Sequence, residues 1–117
     1  MTDSLVQSTS GSDDFIIVLV TCPPDRADSI AQTLVGESLC ACVNILANIR
    51  SVYRWHGDVT SEEESLLVMK TMGKIYDRLE ARIKEIHPYD VPEIISIKID
   101  RGSRAYLDWI SEAMVKV

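Results

Sequence analysis

Basic residues are scarce in this 117-residue chain: twelve Lys and Arg stand against eighteen Asp and Glu, for a net charge of −6. With no basic cluster to neutralise phosphates, a nucleic-acid partner is not expected. Long apolar runs are missing too. The longest, FIIVLV at 15–20, has six residues, against the roughly 20 that a bilayer crossing needs, so no membrane partner is expected. Histidine occurs twice, with neither H-x-H nor H-E-x-x-H spacing, and no structural zinc site can be read. There is no glycine-rich phosphate cradle, P-loop or dinucleotide fingerprint. No Ser/His/Asp or Cys/His spacing supports a nucleophile, so a catalyst is not expected. Cys22, Cys40 and Cys42 are an odd number of cysteines. Together with an N-terminus that lacks a basic start and an apolar core, they point to free thiols in a reducing cytoplasm.

What is present divides simply. The opening MTDSLVQSTSGSDD is too polar to bury itself, and 1–14 is expected to be a flexible tail. The remainder, 15–117, has the size of one globular domain. Residues 15–21 form a β-branched apolar run suited to a sheet centre. Pro23 and Pro24 stop it, Asp25 stands where a helix N-cap belongs, and Ala27, Ile30, Ala31 and Leu34 recur at helical spacing, with Gly36 near the end. Residues 40–55 are strand-like, with a change of apolar phase after Ile49 that predicts a bulge. A turn through HGDVTSEEE leads into a return strand, SLLVMKTM, so the two strands form a long hairpin. Ile75, Leu79, Ile83 and Ile86 line a second helix that Pro88 ends. EIISIKID alternates, with Ile95, Ile97 and Ile99 on one side. Ser103 is then placed to cap a last helix through Tyr106, Ile110, Ala113 and Met114. This order, β-α-β-β-α-β plus a C-terminal helix, predicts an α+β, ferredoxin-like fold: a four-stranded antiparallel sheet with helices on one face. The other face needs a cover, which oligomerisation supplies.

Five segments in order carry a family resemblance: ACVNI at 41–45, SVYRWHG at 51–57, EEESLLVMKT at 62–71, HPYDVPEI at 87–94 and YLDWI at 106–110. The ordered set resembles the CutA family of divalent-cation-tolerance proteins. The resemblance implies a PII-like homotrimer of ferredoxin-like subunits whose long hairpins pair between subunits, and great stability, as in thermostable members. It implies binding of divalent metals such as copper and a part in metal response, with no obligatory cofactor and no catalysed reaction. Related animal proteins are linked to anchoring a partner enzyme; for this chain the protein partner is unknown.

The candidate metal ligands are His87, Cys42 and Cys40. Cys42 matches the family's cysteine, and a thiolate with an imidazole suits copper or zinc. Its plain alternative is a small buried hydrophobe. Cys40 stands where the family usually has alanine; two apart on a strand, the thiols would face one side. His87 matches the family's HPY histidine, whereas some relatives carry a second histidine at the position of Ile86. His56 is expected to be solvated in the hairpin turn. Tyr53, Trp55, Tyr89, Tyr106 and Trp109 are candidates to wall a small-molecule pocket at a subunit boundary, or simply to pack there. Glu62 and Glu64 converge by strand parity but are expected to be a solvated edge. Lys70, in an apolar strand, needs an anion, and a pair with Glu93 is expected. Pro88 and Pro92 stiffen the connector on which His87, Tyr89 and Glu93 stand. A metal-response trimer is the first reading. A PII-like signalling or interaction module is the second.

Overall fold

A computed structural model describes residues 15–115. The expected tail at 1–14 lies outside them, as do the last two residues of the expected domain. Four strands, β1 (Phe15–Cys22), β2 (Cys42–Trp55), β3 (Asp58–Met72) and β4 (Ile94–Lys98), form one antiparallel sheet in the order β2-β3-β1-β4. Three helices, α1 (Ala27–Gly36), α2 (Tyr76–Ile86) and α3 (Arg104–Ala113), complete the expected order. The fold is α+β and ferredoxin-like.

β1 is central, with β3 and β4 bonded to either edge. Its Ile16, Val18 and Val20 point to the core, where Leu67 and Met69 of β3 meet Ile30 and Leu34 of α1 and Leu79 and Ile83 of α2. Most of these side chains are fully enclosed, and each is worth about 1.5–3 kcal/mol on burial. Arg82 of α2 grips Glu37 through two hydrogen bonds of 2.9 Å, tying α2 to the end of α1. Ser103 caps α3 as expected, its hydroxyl accepting from Tyr106 N–H.

Several details differ from the sequence expectation. Asp25 does not cap α1: Pro24–Arg26 form a 3-10 turn, and Arg26 takes the cap position without a side-chain bond. Gly36 closes α1 as expected, but it is not the left-handed residue of the cap. Ser38 is, at φ 61°, with Leu39 N–H on Leu34 C=O and Ser38 N–H on Val35 C=O in a Schellman arrangement. The hairpin turn is tighter than expected. His56 and Gly57 alone make it, both with positive φ as a type I′ turn demands, so β3 starts at Asp58 and takes in the glutamate run. The bulge falls between Leu46 and Ile49, ahead of the apolar phase change, with Asn48 at φ 63°. In α3 the buried residues are Leu107 and Ile110, and Tyr106 is exposed.

The register sorts the sheet into two faces. Opposite the helices lie Ile17 and Leu19 of β1, Leu66 and Val68 of β3, Leu46 of β2, and Ile95 and Ile97 of β4. Half the surface of Ile95 and Ile97 is open to solvent, and Leu46 is nearly as exposed. Beyond Cys22↔Ser65, β2 and β3 continue alone as a two-stranded arm.

Candidate functional site

The connector between α2 and β4 folds back against the root of this arm. Extended backbone at His87, required before Pro88, ends α2 and turns the imidazole inward. His87 is buried, with Nε2 2.8 Å from Thr21 C=O and Nδ1 3.1 Å from Tyr89 N–H. The amide can only donate, so Nδ1 accepts and Nε2 carries the hydrogen given to Thr21. Both ring nitrogens are engaged in bracing the connector.

Two phenols orient two carboxylates beside it. Tyr89 Oη donates to Glu64 Oε2 at 2.9 Å, and Tyr53 Oη donates to Glu62 Oε1 at 2.9 Å. Burial, then the bond to Glu64, raises the Tyr89 phenol well above its usual range; the bond to Glu62 raises Tyr53. Glu64 is only 5% exposed. Thr21 reaches Glu93 at 3.5 Å. Between arm and connector these groups enclose a cleft of about 810 Å³, walled by Tyr53, Trp55 and Tyr89 and edged by Glu62, Glu64, Asp90 and Glu93. The glutamate run is therefore not a solvated edge throughout: Glu64 is drawn under the connector.

A second polar cluster occupies the other end of the open face. Cys42 lies opposite Lys70, and Asn44 Oδ1 accepts from both Lys70 Nζ and the Cys42 thiol, the latter at 3.9 Å. Cys42 is half-buried, and Tyr106 lies against it, its phenol raised by burial and by that thiol. Cys40 is enclosed in the core, where burial and then Cys42 push its thiol up to about 12. Tyr106 and Trp109 stack with centroids 5.5 Å apart.

The chain and its fold have counterparts among known proteins. The family model described as CutA1 divalent ion tolerance protein matches residues 16–113. The chain belongs to that family. The divalent-cation tolerance protein CutA of Thermus thermophilus is 46% identical over 82% of this chain and 94% of its own length. Protein CutA 1, chloroplastic, of Oryza sativa is 40% identical over 92% of this chain, which spans only 62% of that longer protein. The solved structure of the T. thermophilus Cut A1 superposes with a TM-score of 0.82 at 45% identity, covering 85% of this chain and 97% of that one. The family is named for ion tolerance and not for a reaction.

Against that background, the residues singled out from sequence divide into two places. Tyr53, Trp55, Tyr89 and Glu93 line one cleft. Lys70, Cys42 and Tyr106 gather at the opposite end, with Trp109 stacked on Tyr106. Thr21 pairs with Leu66 and Ile17 with Lys70, a four-residue offset of about 13 Å along β3. Lys70 accordingly bonds Asn44, and the expected Lys70–Glu93 pair does not form. The same offset separates His87, at Thr21, from Cys42, at Lys70. Among the described residues, no three His, Cys, Asp or Glu side chains converge as an ion would need. Sequence reasoning missed Thr21 and the burial of Glu64. The parity of Glu62 and Glu64 was a signal for their convergence; the folding back of the connector left none.

Proposed function

We propose that the chain serves divalent-cation tolerance as a cytoplasmic, PII-like homotrimer that binds copper or another divalent ion without acting as a catalyst. Family membership along nearly the whole described length carries this reading. The apolar stripe on the open sheet face supports self-association, since a two-stranded arm and an uncovered face are both poorly stable alone. Three free cysteines support a reducing compartment. Among the described residues no helix is long and apolar enough to cross a membrane.

Of the candidate ligands, Cys42 is the accessible one. Cys40 is enclosed and held protonated, and His87 must give up Thr21 or Tyr89 to coordinate. Binding is therefore led by Cys42, with His87 and Cys40 secondary. Titration calorimetry of Cu(II) and Zn(II) into the reduced protein, with Cys42→Ser and His87→Ala in parallel, is the test. Cys42→Ser is expected to weaken binding about tenfold, and His87→Ala much less. Absence of binding, or binding indifferent to both substitutions, would overturn the metal reading. The second reading, a signalling or interaction module with a ligand at the subunit boundary, is favoured by one observation: the cleft between arm and connector.

A further inference from the structure

We infer that this cleft takes a small organic cation, an ammonium group carried on a short apolar body. The inference deepens the second reading and rests on the cleft being a ligand site. Glu64 provides the first reason. It is 5% exposed, and its hydrogen-bond partner is a neutral phenol, which occupies Oε2 only. No cationic side chain among the described residues pairs with it, and a carboxylate withdrawn from water calls for a positive charge. Oε1 is left to meet one.

The walls provide the second reason. Tyr53, Trp55 and Tyr89 line the same cleft. Aromatic faces attract ammonium groups within about 6 Å of the ring centre. Glu62, Asp90 and Glu93 add negative charge that outweighs the single basic residue lining the cleft, Arg54, one of whose N–H groups donates to Gly57 C=O at the arm's tip. An anion is excluded by that balance, and a neutral molecule leaves Glu64 uncompensated. A bare metal ion needs donors that converge, and these carboxylates are spread around the cleft instead. About 810 Å³ is room for a small organic molecule.

The test uses the full chain carrying Trp109→Phe, so that Trp55 is the sole tryptophan, with EDTA present throughout. Choline and putrescine are titrated as the quaternary and the primary ammonium, and 3,3-dimethylbutanol as the uncharged counterpart of choline. At least one cation is expected to change Trp55 fluorescence saturably, and the alcohol to bind about tenfold more weakly. Glu64→Gln keeps the shape and the Tyr89 bond while removing the charge, and should cost about tenfold. Asp90→Asn, at an exposed position, repeats the test without touching a buried group and should weaken binding in the same direction. The inference is overturned if the alcohol matches the cations, or if both substitutions leave affinity unchanged; in either case the cleft still binds a ligand. If no probe moves Trp55, the cation inference fails and the cleft reading loses its support as well. EDTA keeps every outcome separate from the metal reading.

Discussion

Cys22 and Cys40 show how a single buried group can set a pH limit on the whole chain. Burial pushes Cys22 up to about 11 and Cys40 up to about 12, from 9.0. Between those values the folded protein keeps protons that the unfolded chain has released, so it binds more protons than the unfolded state. Stability is then full below pH 9 and falls as pH rises through the folded values. Urea midpoints should be level up to about pH 9 and decline from there to about pH 11, and Cys40→Ala, close in size, should flatten part of the slope. A midpoint level across that range would contradict the assignment. From the sequence, Cys40 and Cys42 were both candidate metal ligands on one side of a strand, with nothing to show which would be enclosed. The chain enters β2 between them, enclosing the first and leaving the second half-open.

At the scale of elements, local signals located the helices well and their ends unevenly: Ser103 caps α3 and Pro88 ends α2, whereas Asp25 does not cap α1. Ala27, Ile30, Ala31 and Leu34 face the core because their spacing admits one buried stripe. Gly36 completes the helix where expected, and the left-handed position beyond it falls to Ser38. Ser38→Gly is therefore expected to stabilise the protein by about 1 kcal/mol, because glycine carries no Cβ penalty there. Thermal and urea denaturation would register it as a higher midpoint at unchanged denaturant dependence, and a lower midpoint would show that the serine is not strained. The hairpin turn is the converse case. HGD contains the right turn chemistry, but only the pairing of Trp55 with Asp58 reveals that two residues suffice.

For the whole molecule, the open sheet face decides how the chain behaves in solution. Ile95 and Ile97 alternate cleanly and are nonetheless half-exposed, because the helices cover the opposite side. If copies of the chain cover this face, Ile95→Lys with Ile97→Lys places charges in the contact. Light scattering should then report a single-chain mass in place of the trimer expected for the unsubstituted protein. The same double substitution should lower the melting temperature, since the arm loses its support. An unchanged mass would place the contact elsewhere.

Apolar periodicity, proline placement and the ordered motifs determined, from sequence alone, the element order, the core-facing stripes of α1 and α2, and the family. Those properties depend on neighbours in the chain or on a pattern of fixed period, and both are written locally. Only the tertiary structure decided which candidates meet. Lys70 bonds Asn44 rather than Glu93, His87 spends both nitrogens on Thr21 and Tyr89, and Glu64 sinks under the connector. Each outcome depends on the register between strands distant in the chain and on a loop folding back across a sheet. Strand register moves a side chain by about 3.3 Å for every residue of offset, which is enough to make or break any site.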